Sequence, residues 1–184
     1  TIYERIIDAG LPFDYITSGA LWMDDAVSTV VCRLRELDIE DNTIIIYSSD
    51  HGPCEDKGTV YQGGVRIPCV LQWKDRVPAR RHVTALAQNI DWLPTFAEAT
   101  GAPIPPDMVL DGKSLMPVLT GEDAEVPGRE DLYFEHGFAR AVRTARWKYL
   151  GYRLPEHLIE KMRSGACERA CNPNGSFGDI ASCL

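Results

Sequence analysis

The sequence has no long hydrophobic run, no basic leader and no excess of positive charge. No apolar stretch approaches the roughly 20 residues of a membrane-spanning helix, so we expect no membrane partner. No basic segment followed by an apolar one opens the chain, so no signal peptide is visible and the localisation is unknown. The formal net charge is -8, from 27 acidic and 19 basic residues, which disfavours nucleic acid as a partner.

Complete zinc-binding patterns are also missing. The chain has six cysteines, three of them in its last 18 residues, but no C-x-x-C pair and no paired histidines complete a ligand set. For Cys167, Cys171 and Cys183, a disulfide and reduced thiols both stay open. Cys32 and Cys69 stand in apolar segments, and we expect them to be buried as small hydrophobic side chains.

What the sequence does contain is typical of a soluble globular protein. Its 184 residues are 45% hydrophobic and 25% charged, enough for one domain or slightly more. The chain opens with Thr1 rather than Met, and we expect that it is part of a longer protein.

The hydrophobic pattern predicts an α/β fold. Apolar residues recur at three- and four-residue spacing across 15–37, which indicates an amphipathic helix. Residues 43–47 form a β-branched run that fits a buried parallel strand, and 67–71 form a second strand-like run. Helix, loop and buried strand in this order favour parallel strands flanked by helices.

The second half predicts short elements of both kinds. A helix is expected in the second half of 84–100, with Asp91 as N-cap and Pro94 in its first turn. Further predicted elements are a helix at 114–119, antiparallel strands at 131–135, 139–143 and 147–150, and a helix at 155–163.

A domain boundary is expected in the polar linker at 122–130. Residues 1–127 would then form the α/β part, and 128–184 a small C-terminal α+β subdomain. All four tryptophans stand in apolar contexts and are expected in the core: Trp22, Trp73, Trp92 and Trp147.

Polar groups of different charge follow the first predicted strand, in the segment SDHGPCEDKGTVYQGGVR at 49–66. Ligands of parallel sheets bind at the carboxyl ends of strands, which is where Asp50 and His51 fall. Asp50 offers a hard oxygen for Ca²⁺ or Mg²⁺, His51 is a second possible ligand, and Lys57 is a point charge for an anion. Spacing alone favours an ordinary polar loop with a solvated lysine.

The longer string resembles the central signature of the sulfatase family, within the alkaline phosphatase superfamily. The resemblance rests on DNTIIIYSSDHG at 41–52 and KGTVYQGGVRIP at 57–68, and it extends from about residue 15 to about residue 150. Further similar segments follow in the family's order: NIDWLPT at 89–95, DGKSLMPVLTG at 111–121, YFEH at 133–136 and RAVRT at 140–144. The resemblance implies a partial alkaline-phosphatase-like sandwich with a small C-terminal antiparallel sheet.

Roles follow from the resemblance where residues match. It implies that Asp50 and His51 bind a divalent cation, usually Ca²⁺ and alternatively Mg²⁺, and that Lys57 is catalytic and contacts the sulfate. His136 is a candidate substrate-binding residue, although a histidine at the rim with no role is the simpler interpretation. The partner would be a sulfated small molecule or carbohydrate.

The family's nucleophile pattern, C/S-x-P-S/A-R, is absent from this chain. Sulfatases oxidise its first residue to formylglycine, which we therefore expect in a segment upstream. Gln62 also stands where the family often has Glu. The resemblance implies a sulfuric ester hydrolase, and we expect this chain alone to be inactive and to bind Ca²⁺ weakly.

Two alternatives stay open. One is a phosphodiesterase or phosphonate monoester hydrolase of the same superfamily. The other is a non-catalytic binding module that keeps the fold without turnover.

Overall fold

The computed structural model of the chain describes residues 1–52 and 56–164. They fall into two compact units, one made of Thr1–Ile45 with Gln72–Asp75, the other of Ile46–Leu71 with the chain from Arg76 onward. The boundary expected at 127–128 stays a prediction. Among the described residues, no helix combines the length and the apolar character that a membrane span requires.

The first unit is built from two helices. Helix α1, Ile2–Asp8, was not predicted, and it begins with a capping box between Thr1 and Glu4. Helix α2, Tyr15–Glu36, confirms the predicted amphipathic helix, and the carboxylate of Asp14 accepts a hydrogen bond from its first turn. Arg5 of α1 forms an ion pair with Asp25 of α2.

The two strand-like runs are both present. Strand β1, Ile45–Ser48, and strand β2, Cys69–Gln72, pair in a two-stranded sheet. Between them lies a single helical turn, α3, Gln62–Val65.

Two short helices lie beside one hydrophobic core of the second unit. Helix α4, Trp92–Thr100, and helix α5, Met116–Thr120, confirm the predictions, and each ends at a glycine with positive φ, Gly101 and Gly121. The buried hydroxyl of Thr95 connects them, because it accepts a hydrogen bond from the backbone N–H of Leu115 at 2.9 Å. The core beside them contains Leu115, Val118 and Val126, packed against Ala85, Trp92 and Leu119.

Asp91 precedes α4, as predicted, but its side chain does not cap that helix. Instead, the buried carboxylate accepts hydrogen bonds from the backbone N–H groups of Gln88 and Lys113, at 2.7 and 2.8 Å, and forms an ion pair with Arg129. Asp91 therefore joins three segments of the chain.

The C-terminal sheet confirms the predicted antiparallel strands and the helix after them. Strands β3, Asp131–His136, β4, Ala139–Thr144, and β5, Lys148–Tyr152, pair in that order, and α6, Glu156–Arg163, follows. One face carries two cross-strand rows, Phe134–Ala141–Leu150 and His136–Ala139–Tyr152.

Four predictions of burial are wrong. Cys32 and Cys69 are exposed, and the side chains of Trp22 and Trp147 are both 71% exposed. The physical reason is that an apolar pattern shows which face is apolar and not what covers it. No residue of α2 is buried, and Trp147 lies in the turn between β4 and β5. The disulfide question for the last three cysteines lies outside the described residues.

Candidate active site

The carboxyl end of β1 brings Asp50 and His51 together. The Nε2 atom of His51 lies 3.3 Å from Oδ2 of Asp50, and its Nδ1 atom lies 2.7 Å from the carbonyl oxygen of Gly52. A carbonyl oxygen only accepts hydrogen bonds, so Nδ1 carries a proton and donates it. Nε2 then either carries a second proton and pairs with Asp50, or presents a lone pair beside the carboxylate. In the second form, the two groups are of the kind that a divalent cation binds.

The carboxylate of Asp50 stays ionised readily. Desolvation is the largest single influence and acts to raise the pKa of Asp50, but the hydrogen bond from the backbone N–H of His51, the charge of His51 and the hydroxyl of Ser49 outweigh it. The net effect lowers the pKa below the ordinary value. The side chain of Asp50 is 82% exposed, so a cation reaches it without displacing protein.

Lys57 lies in a tight turn on the other side of the residues that the structure does not describe. The backbone N–H and the hydroxyl of Thr59 both donate to the carbonyl oxygen of Asp56, at 3.1 and 2.8 Å, and Gly58 has φ of +76°. The side chain of Lys57 is exposed, and no ion pair of Lys57 occurs with the residues of 1–52 and 56–164. Its ammonium is therefore available to an anion.

Glycines hold these two segments close to α3. The backbone N–H of Gly52 donates to the carbonyl oxygen of Gly64 at 3.0 Å, and a Cβ atom on Gly52 would lie 1.5 Å from the carbonyl oxygen of Gly63. A Cβ on Gly64 would lie 2.4 Å from the carbonyl oxygen of Asp56. The missing side chains of Gly52 and Gly64 therefore allow these parts of the backbone to approach one another.

The other predicted residue, His136, lies at the end of β3. It is exposed, and it shares a cross-strand row with Ala139 and Tyr152 on the face that packs against Val60. His136 and the Lys57 turn thus belong to the same side of the C-terminal sheet. Arg140 pairs with Glu135 at 2.6 Å on the opposite face of the sheet.

Sequence reasoning gave no role to Tyr61 or Tyr152. The two side chains lie close together in the fold, although 90 residues separate them in the chain. Burial is the main cause that raises the pKa of Tyr152 to about 12, and the neighbouring hydroxyl of Tyr61 adds to it. Tyr61 stands inside the signature string, which is the signal that singles it out.

Asp50 and His51 are not part of a larger cluster in the described part of the chain. Within residues 1–52 and 56–164, no group of three or more His, Cys, Asp or Glu side chains is placed to hold a metal ion. Asp50 and His51 therefore supply only part of a ligand set.

Comparison with known proteins identifies the family. The family described as "Sulfatase" matches residues 14–102. The steryl-sulfatase of Mus musculus is 33% identical over 150 residues, which cover 68% of this chain and 24% of that protein. An ulvan-active sulfatase of Formosa agariphila is 35% identical over 143 residues, 73% of this chain and 28% of that protein. The chain belongs to the sulfatase family.

A solved structure supports the fold of this sulfatase-family chain. That structure shows another protein in complex with its substrate D-glucosamine-2-N,6-O-disulfate. It matches this chain with a TM-score of 0.66 at 24% sequence identity. The match covers 90% of this chain and 36% of that chain. It confirms the predicted alkaline-phosphatase-like α/β class with a small antiparallel sheet. The chain spans about a quarter of the length of the curated relatives it matches.

Proposed function

We propose that this chain supplies metal and sulfate contacts to an enzyme that hydrolyses sulfate esters. The observation that carries the proposal is the pair of Asp50 and His51, whose Oδ2 and Nε2 atoms lie 3.3 Å apart. A ligating histidine commonly donates its other ring N–H to a backbone carbonyl, and Nδ1 of His51 makes that contact with Gly52. Both donor atoms therefore fit a cation.

Asp50 and His51 would hold Ca²⁺, or alternatively Mg²⁺. Such a cation, when bound, neutralises charge on the oxygens of a sulfate group. Because these cations take six or more ligands, the others would come from water or from another segment of the complete protein. We place the formylglycine nucleophile in such a segment, since its motif is absent from this sequence.

The role that we propose for Lys57 is to bind and orient one sulfate oxygen. Its ammonium is a point charge on an exposed turn, which suits an anion whose charge grows during ester cleavage. His136, on the sheet face next to that turn, would contact the rest of the substrate.

The substrate class that we favour is a sulfated carbohydrate. Two similar proteins support this choice, one named as an ulvan-active sulfatase and one solved with a disulfated glucosamine as its substrate. A sulfated small molecule is the second candidate, supported by the similarity to steryl-sulfatase.

The test is an assay of the complete protein that contains this chain, produced with the formylglycine modification. We expect it to hydrolyse the chromogenic aryl sulfate 4-nitrocatechol sulfate and to lose that activity in EDTA, with Ca²⁺ restoring it. Asp50→Asn and Lys57→Ala should each lower kcat/KM by about 100-fold or more, as removal of one group that stabilises developing charge does in other enzymes. Asp107→Asn, at an exposed acid outside the site, is the control.

The same assay separates the alternatives. Preferential hydrolysis of bis(4-nitrophenyl) phosphate would assign the protein to phosphodiester chemistry. Binding of a sulfated oligosaccharide with no turnover of either ester would support the non-catalytic module and overturn the proposal.

A further inference from the structure

The face of the C-terminal sheet that contacts Val60 carries positive charge and, within its three described strands, no acidic side chain. The alternation of side chains assigns nine residues to this face: Leu132, Phe134, His136, Ala139, Ala141, Arg143, Lys148, Leu150 and Tyr152. Asp131 and Glu135, the acids of these strands, belong to the opposite face. An anion that meets the face with Val60 is therefore not repelled by a carboxylate of the sheet.

Two of the nine residues are permanent cations placed side by side. Arg143 of β4 stands directly opposite Lys148 of β5, and directly opposite residues have Cβ atoms about 4.5–5.5 Å apart. Like charges in such a pair destabilise a sheet. Both side chains are partly buried, and within the described part of the chain Arg143 forms no side-chain hydrogen bond or ion pair. No carboxylate of the described residues neutralises the pair.

Lys148 lacks a hydrogen-bond acceptor as well as a counter-ion. Its Nζ atom is buried, has no hydrogen-bond partner among the described residues, and lies 4.6 Å from the ring centre of Phe134. Burial and then the charge of Arg143 lower the pKa of Lys148. Because the stem of a lysine is flexible, the ammonium can turn from the ring towards Arg143. An oxyanion beside Arg143 would then accept hydrogen bonds from both side chains.

The position of this pair relates it to the candidate active site. Val60, three residues after Lys57, packs on Ala139 and Ala141, in the two rows next to the Arg143 row. His136 shares the row of Ala139, and residues four apart in a strand, such as Ala139 and Arg143, are separated by about 13 Å. A group bound at Arg143 therefore lies on the same sheet face as His136, further from it than one sugar ring extends.

We propose that Arg143 and Lys148 bind a second acidic group of the substrate, a sulfate or a carboxylate on a neighbouring sugar unit. The inference rests on the proposed function, since it extends the sulfated carbohydrate along the sheet from His136. It makes the pair a determinant of specificity for polyanionic carbohydrates. A free sulfate ion has the same chemistry as such a group, and the experiments below separate the two.

The first experiment compares two sugars as inhibitors of the complete protein. Neocarrabiose monosulfate and neocarrabiose disulfate share one disaccharide frame, and their inhibition constants are measured against hydrolysis of 4-nitrocatechol sulfate. We expect the disulfate to bind at least about 10-fold more tightly, the effect of one hydrogen bond between charged groups. Arg143→Met and Lys148→Met should each reduce this ratio to less than about 3-fold. Arg146→Met, at an exposed arginine in the turn between the same strands, is the matched control and should keep the ratio.

A second readout needs no activity. In the 184-residue chain, the side-chain ¹³Cε signal of Lys148, identified by its loss in Lys148→Met, is followed by NMR during titration with neocarrabiose disulfate. The signal should shift and reach saturation, and Arg143→Met should abolish the shift. Sodium sulfate and sodium chloride at the same ionic strength are the comparison salts.

The outcomes distinguish the claims. A ratio of inhibition constants that is the same in the wild type and in both variants, or a Lys148 signal that the disulfate does not shift, would overturn the proposal. An equal shift with the same concentration of sodium sulfate would also overturn it, since the pair would then bind any oxyanion. If the complete protein hydrolyses no sulfate ester, the proposed function fails, and the NMR titration still decides whether the pair binds the sugar.

Discussion

Asp91 and Arg129 form an ion pair in the interior of the second unit, with side chains 0% and 7% exposed. The backbone N–H groups of Gln88 and Lys113 donate to the same carboxylate. Asp91 stands before α4, Lys113 lies in the segment that leads to α5, and Arg129 lies in the polar linker at 122–130. The ion pair therefore fixes that linker to the body of the unit.

Replacing Arg129 should be strongly destabilising. Arg129→Met would leave the Asp91 carboxylate buried without its counter-ion, and loss of one partner of a buried pair costs about 3–5 kcal/mol. The measurement is the free energy of unfolding in urea. Arg146→Met is the control, since Arg146 is exposed and only lies over the ring of Trp147. Equal effects of the two substitutions would show that the buried pair contributes nothing special.

Gly52 should tolerate no side chain. In Gly52→Ala the new Cβ would lie 1.5 Å from the carbonyl oxygen of Gly63, so the backbone after β1 must move. We expect a loss of stability of at least about 2 kcal/mol, in the range of other overpacking substitutions, and a changed environment at His51 in NMR spectra.

For Gly19→Ala, the same chemical change as in Gly52→Ala, we expect a gain of stability instead of a loss. Gly19 lies within α2, and a Cβ there meets no atom within 4 Å. An alanine in a helix is more favourable than glycine by about 0.5–1 kcal/mol, so this variant should be more stable. If both alanine variants were equally stable, the close contact at Gly52 would not exist in solution.

The elements with local signals could be predicted from the sequence. The regular apolar spacing of 15–37 predicts α2, and the alternating short runs after residue 130 predict β3 to β5. Helix α1 was missed because it is only seven residues long, although Thr1 and Glu4 carry its capping signal. Burial was predicted less well, as Trp22 and Cys32 show, because it depends on which distant element covers a face.

The contacts of the candidate site also differ in how well the sequence predicts them. Asp50 and His51 are neighbours in the sequence, so their contact after a strand could be expected. The contact of Val60 with Ala139 and that of Asp91 with Arg129 join distant segments, and they depend on how the C-terminal sheet and the linker pack. No local pattern specifies such contacts.

Calcium should bind the 184-residue chain only weakly. Asp50 and His51 supply two groups where Ca²⁺ takes six to eight ligands, and with water as the remainder we expect a Kd of about 1 mM or weaker. Calorimetric titration with CaCl₂ measures this, with Asp50→Asn abolishing the remaining signal and Asp107→Asn leaving it unchanged. Micromolar binding would mean that this chain holds a complete cation site.

Lys148 is a charged group in an unfavourable place. Its Nζ atom is buried, has no hydrogen-bond partner among the described residues, and lies 4.6 Å from the ring centre of Phe134. Burial is the main cause that lowers the pKa of Lys148, and the positive charge of Arg143, directly opposite on β4, adds to it. The ammonium is therefore less favourable in the folded chain than in the unfolded one.

Lys148→Met should accordingly stabilise the protein at neutral pH. Methionine keeps the unbranched shape, packs its sulfur against the ring of Phe134 and removes the unpartnered charge. The unfolded chain binds the proton of Lys148 up to its ordinary pKa near 10.5, and the folded chain releases it at lower pH, so the wild-type protein gains stability as pH rises through that window. The stability advantage of the variant should be largest at neutral pH and shrink towards pH 10.5, as measured by urea unfolding at several pH values.

The control is Lys57→Met, at an exposed lysine, which should change the free energy of unfolding by less than about 0.5 kcal/mol at every pH. A Lys148→Met variant that is less stable than wild type at neutral pH would show that the ammonium over Phe134 is a net favourable contact.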